Sequence, residues 1–249
     1  MSVLSTIYSF AICILLPLVE AASSRRLKAD SDSASRRASY RKDLAMLWLM
    51  AGAAAWLSAP ASLFEAPGSV DGMAWLTTGG AIARWLVLGS ALLLAAVMTA
   101  QAVYCLFNAR FQRQCEAAAQ SLKFMLPVGT RERRWWIVLA VSAGVCEELV
   151  YRGFLLTCFG ELGLAWAWLL SSAAFGLAHA YQGAIAALRA AVVGGILGLV
   201  AIANGHLALA IVLHIMLDLL PLAYYRPAAE SVEGAAEVSD QVVGVFDAD

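Results

Sequence analysis

Glu147, Glu148 and Arg152 lie in the stretch Cys146-Glu147-Glu148-Leu149-Val150-Tyr151-Arg152-Gly153, with apolar runs on both sides. Ionisable groups at membrane depth are costly, face a protein interior or a water-filled cavity, and by default mark function. Two of the three histidines also fall in apolar runs, in Phe175-Gly176-Leu177-Ala178-His179 and in His214-Ile215-Met216-Leu217-Asp218. Carboxylates and imidazoles gathered in hydrocarbon can move protons to and from a bound water. One Glu with two His is also a ligand set compatible with zinc and an activated water.

Spacing separates the roles. Residues four apart share a helix face, so Glu148 and Arg152 are neighbours, with the acid on the favourable N-terminal side, and read as a structural ion pair. Glu147 points about 100° away around the same helix and lacks that partner, which leaves it free to exchange protons. Phe175 and His179 are one turn apart, as are His214 and Asp218. Glu147, His179, His214 and Asp218 form the candidate catalytic set, and Glu147, His179 and His214 the candidate metal ligands. Blander readings stand beside these: both acids could pair with Arg152 to tie helices together, and a single buried His is as readily an interhelical hydrogen bonder. His206 follows Asn204-Gly205 and belongs to a turn. Cys146 reads as a small packing residue, Arg189 as a side chain snorkelling to the interface, and Gly194 with Gly198 as a close helix approach.

The elements that must carry these groups are membrane helices. Of 249 residues, 61% are hydrophobic and 14% charged, against roughly 45–50% and about 25% in soluble domains. The net charge of −1 gives no basic surface for nucleic acid. The five cysteines show no CxxC spacing and suggest neither a zinc knuckle nor a disulfide framework. A spanning helix needs about 20 apolar residues. Stretches at 3–22, 44–64, 82–106, 135–157, 162–181, 183–203 and 206–225 approach that length. The fold class is therefore an all-α polytopic membrane helix bundle, with about seven transmembrane helices. Residues 107–126 add an amphipathic helix, because Phe111, Cys115, Leu122 and Met125 recur at helical spacing while Arg110, Arg113 and Lys123 fall elsewhere.

Lys and Arg crowd the connections after the first and third spans, including Arg25, Arg26, Arg36 and Arg37 in one and Arg110, Arg113, Arg131 and Arg134 in the other. Both are expected on the cytoplasmic side, with the N-terminus out and the C-terminus in. The connection around 65–80 has Asp71 and no Lys or Arg, which suits the outer side, and Trp75, Trp85, Trp135 and Trp136 suit interfacial belts. Segment 28–40 reads as a flexible loop. Three regions result: 1–130, three spans with basic loops; 131–226, the helix bundle with the candidate site; and 227–249, an acidic tail read as disordered.

Glu147-Glu148-x-x-x-Arg152, Phe175-x-x-x-His179 and His214-x-x-x-Asp218, in this order on successive helices, resemble the CPBP family of intramembrane proteases. That family includes the type II CAAX prenyl endopeptidases and bacteriocin-processing or self-immunity (ABI) relatives. The likeness covers about 131–225. It implies a glutamic-type or metallo-endopeptidase in which Glu147 and His179 activate water while His214 and Asp218 stabilise the oxyanion or assist a metal. It implies zinc as cofactor or a glutamate acting without one. Asn is common in the family where this chain has Asp218, and an ionised Asp is a poor oxyanion donor, so Asp218 is expected to orient His214 or to stay protonated. The implied substrate is a membrane-associated polypeptide, and the implied location a bacterial inner membrane. Two other functions are compatible with the residues: a non-catalytic immunity or scaffold protein of the same fold, and a proton carrier.

Overall fold

The computed structural model describes residues 2–29, 32–58, 64, 80–119 and 122–225, and every regular element among them is helical. The helices are α1 Val3–Ala29, α2 Ser33–Leu57, α3 Ala81–Phe107, the short α4 Ala109–Ala118, α5 Thr130–Glu148, α6 Leu164–Ala178, α7 Ala184–Asn204 and α8 Ala208–Leu219. Helix α5 runs on through a π-helical turn, Leu149–Leu155, and closes in a 3-10 turn, Phe159–Leu162. By length and composition, α1, α3 and α7 are long and apolar enough to cross a membrane, and α6 and Ala208–Tyr224 are shorter apolar helices. The molecule is an all-α helical bundle and a membrane protein, as its composition implies. Its reversals after α5, α6 and α7 fall at Gly163, Gly183 and Gly205, each at positive φ, where a side chain would meet its own backbone.

Two local expectations change. Residues 33–40, read as part of a loop, are the first turns of α2. The Asp32 carboxylate accepts the Ser35 amide at 2.6 Å, an N-cap, and Arg36 is buried against α5. Polar composition there reflects a partner helix that a local reading does not see. The amphipathic helix predicted over 107–126 is helical only over Ala109–Ala118, with Asn108 capping it. Phe111, Cys115, Leu122 and Met125 pack onto Tyr40, Cys105, Trp136 and Tyr224, so their periodicity serves packing against the bundle. The expectations for Asp71, Trp75 and the tail 227–249 lie outside the described residues.

At one end of the bundle, polar contacts gather the termini of several helices. Lys42 bridges Glu20 of α1 at 3.3 Å and its neighbour Asp43 at 2.9 Å. Arg36 of α2 donates to Glu132 of α5 at 2.9 and 3.3 Å, and the Val128 amide donates to the same carboxylate at 2.8 Å. Burial alone would raise the Glu132 carboxyl, but the Arg36 guanidinium and this amide hold it below the ordinary glutamate range. Lys28 donates to the Tyr181 carbonyl between α6 and α7 at 2.7 Å, and Gln112 of α4 to the Tyr224 carbonyl beyond α8 at 3.1 Å. The two basic connections thus meet at one end of the molecule.

Candidate active site

Glycines set how closely the site-bearing helices approach. A Cβ on Gly144 of α5 would stand 2.5 Å from Ile215 of α8, and one on Gly176 of α6 would stand 2.6 Å from Ala191 of α7. A Cβ on Gly194 would meet both the Arg152 guanidinium and the Phe175 ring at 2.9 Å. Gly195 and Gly198 likewise face Trp168 of α6, which is the close approach read from the Gly194-to-Gly198 spacing. Backbones this near let short side chains from α5, α6 and α8 reach one another.

Glu148 and Arg152 pair as their spacing implies, at 2.9 Å, with both side chains all but inaccessible. Arg152 also donates to the Gly194 carbonyl at 2.9 Å, which ties α5 to α7. The second partner of Glu148 was not legible in the sequence: the His214 Nδ1–H donates to Glu148 Oε1 at 2.8 Å. Glu148 is thus both a clamp for Arg152 and the group that orients the His214 imidazole, with its other ring nitrogen left to face the cavity. Asp218 was expected to orient His214 or to stay protonated. Its carboxylate lies 3.6 Å from His214 Nε2, beyond hydrogen-bond distance, while its backbone carbonyl accepts from Trp136 at 2.8 Å.

Glu147 takes the free position that its rotation on the helix implies. Its Oε2 is buried without a hydrogen-bond partner among the described residues, and His214 Nε2 stands 3.7 Å away. His179 caps the end of α6, and its Nδ1–H donates to the Phe175 carbonyl one turn back, at 2.8 Å. Phe175 is the hub that sequence spacing only hinted at. The Arg152 guanidinium lies 4.4 Å over its ring, the His179 ring is 4.6 Å away, and Tyr151 and His214 meet it edge-on at 5.1 and 5.7 Å.

These groups share one cavity of about 510 Å³, whose wall includes Glu147, Tyr151, Phe175, His179, His214 and Asp218. It reaches the end where the polar helix termini gather, along Met125, Trp136, Tyr181 and Tyr224. Arg189, read as snorkelling, is exposed on this wall. His206 is exposed at the α7–α8 turn beside Asn204, and Cys146 is fully buried in the apolar core, as their bland readings have it. Both site imidazoles are held through Nδ1, the way metal-ligating histidines are often held. Even so, no three His, Cys, Asp or Glu side chains among the described residues are grouped to hold a metal ion.

Residues 131–220 match the family model described as Rce1-like, type II CAAX prenyl endopeptidase Rce1-like. No curated protein and no solved structure matches the chain. The matched segment holds Glu147, Glu148, Arg152, His179, His214 and Asp218, together with most of the cavity-lining residues of α5 to α8. Over this segment, a little more than a third of its length, the chain is similar to the Rce1-like type II CAAX prenyl endopeptidases.

Proposed function

We propose that this protein is an intramembrane endopeptidase that hydrolyses a peptide bond of a membrane-associated polypeptide, with a carboxylate and two imidazoles acting on water. The observation that carries the reading is Glu147, one of whose carboxyl oxygens has no partner among the described residues, in the wall of a cavity that also holds both imidazoles. A water in hydrogen-bond reach of Glu147 would lose a proton to it as its oxygen attacks the scissile carbonyl. The same proton would pass to the leaving amine as the C–N bond breaks. His179 positions that water, and His214, held by Glu148, supports the charge that develops on the carbonyl oxygen. Prenylated CAAX-type polypeptides are the substrate class that the family description suggests. The basic end of the bundle faces the cytoplasm of a bacterial cell in this reading, with the N-terminus outside.

The test is cleavage by purified protein in liposomes. A farnesylated peptide and an acyl-anchored peptide without the prenyl group are offered, and products are identified by mass. Glu147→Gln is expected to lower turnover by about 10²–10⁴-fold, the range for a lost general base, while the thermal unfolding midpoint holds. A variant that cleaves at the wild-type rate would sink the proposal. Metal content of active wild type, beside His179→Ala and His214→Ala, decides between the glutamate-only and metallo forms of the reaction.

A further inference from the structure

Tyr151 is among the largest fully buried side chains, with 1% exposure, and its hydroxyl has no hydrogen-bond partner among the described residues. Two other tyrosines spend that proton on a carbonyl: Tyr8 donates to the Met50 carbonyl at 2.6 Å and Tyr40 to the Met125 carbonyl at 2.5 Å. A buried hydroxyl left unpaired is destabilising and calls for an explanation. Phenylalanine would fill the same space without that cost. The position is also specific. Tyr151 stands one turn after Glu147 on the same helix and lines the same cavity. Its ring is fixed edge-on to Phe175 at 5.1 Å, with the Arg152 guanidinium 5.9 Å from its centroid. Its backbone carbonyl accepts from Ser171 Oγ of α6 at 2.6 Å.

The proposed chemistry has room for a second donor beside His214. Attack of water on a carbonyl turns the π bond into an oxyanion, and catalysis by preorganisation needs a donor aimed where that charge forms. Asp218 offers a carboxylate that accepts when ionised. The backbone N–H groups of α5 around Glu147 are spent within the helix.

We infer that Tyr151 is a further catalytic residue, whose phenolic O–H donates a hydrogen bond to the carbonyl oxygen of the scissile bond as it becomes an oxyanion. The assignment rests on the hydrolase reading above. In the step, the water oxygen bonds to the carbonyl carbon, the π electrons move onto the oxygen, and the water proton goes to Glu147. Tyr151 keeps its own proton and gives only the hydrogen bond. When the tetrahedral centre collapses, the C–N bond breaks and Glu147 returns the proton to the amine.

Tyr151→Phe tests this with two readouts that a structural role would not move in opposite directions. On the liposome cleavage assay, kcat is expected to fall by about 10²–10³-fold, as for loss of one oxyanion donor, with KM little changed. In detergent, the unfolding midpoint is expected to hold or to rise by about 2–4 °C, because an unpaired buried hydroxyl has been removed. Wild-type kcat in Tyr151→Phe, or a loss of kcat matched by a fall in the midpoint, overturns the inference. A second variant, Tyr151→Leu, separates ring from hydroxyl: the inference requires that it lose no less kcat than Tyr151→Phe. If wild type itself cleaves nothing, the hydrolase reading fails first. If Glu147→Gln abolishes cleavage while Tyr151→Phe keeps it, only the assignment of Tyr151 fails.

Discussion

Glu132 and Glu147 are carboxylates on the same helix, the first buried and the second half-buried, and they differ in what surrounds them. Glu132, near the start of α5, accepts two hydrogen bonds from Arg36 and one from the Val128 amide, with Arg37 at 3.9 Å. Glu147, near the far end, has an oxygen with no partner and an imidazole nitrogen at 3.7 Å. Exposure differs as well: the Glu132 side chain is 2% exposed and that of Glu147 17%. A carboxylate whose lone pairs are all engaged can only hold helices together, whereas one left open toward a cavity can take a proton from something that enters. Glu148 stands between the two: one oxygen serves Arg152 and His214 together, and the other has no partner.

The widest separation of the two carboxylates should appear when each becomes an amide. Glu147→Gln is expected to lose cleavage by about 10²–10⁴-fold without loss of stability. Glu132→Gln is expected to keep the cleavage rate per folded molecule and to lower stability, since it leaves Arg36 with a neutral partner. Thermal unfolding and cleavage measured on the same preparations decide this, and the reverse pattern would overturn the distinction.

Arg152→Ala should cost about 3–5 kcal/mol, because it strands Glu148 as an uncompensated buried charge. Pairing it with Glu148→Gln should recover part of that loss, and equal destabilisation in the single and double variants would show the two residues to be uncoupled. Gly194→Ala is a milder intrusion, since its methyl would meet Arg152 and Phe175 at 2.9 Å. A loss of about 1–3 kcal/mol is expected. Cleavage should fall with it, because the ring that carries Tyr151, His179 and His214 must shift.

The Glu132 junction should also respond to acid. Its folded carboxyl titrates below the ordinary range. Its stabilisation is therefore present above about pH 4.3, the unfolded value, and is lost as pH falls through the folded value. The midpoint of wild type should drop toward that of Glu132→Gln as pH falls below about 4.3, and a gap that stays constant on acidification would contradict it. The smallest effect is expected at Asp218, which makes no side-chain hydrogen bond to His214. Asp218→Asn should change the cleavage rate by no more than about tenfold, and a larger loss would restore Asp218 to the catalytic set in which it was first placed.

Much of this site could be read along the chain. The ion pair of Glu148 with Arg152 depends only on a four-residue step, and the freedom of Glu147 only on its neighbour's rotation. The helices α3, α6 and α7 follow the apolar stretches 82–106, 162–181 and 183–203 closely, because an apolar run of that length has one stable form in lipid. Errors came where a partner distant in sequence decided the outcome. Residues 33–40 look like loop until Glu132 is placed beside Arg36, and the stripe of Phe111, Cys115, Leu122 and Met125 looks lipid-facing until Tyr40 and Trp136 are placed under it.

What the sequence determined by itself is the class of molecule and its chemical inventory: a membrane helix bundle with charges where hydrocarbon would exclude them, in the order of a known family. Only the tertiary structure decided which groups face each other. His214 could have turned to Asp218 one turn away, yet it donates to Glu148 across 66 residues. Phe175 became a hub and Tyr151 was left with an unspent proton. Local spacing fixes angles within one helix, but contact between helices depends on how far each is rotated and how near glycines let it come. Those quantities emerge only when all the helices pack together.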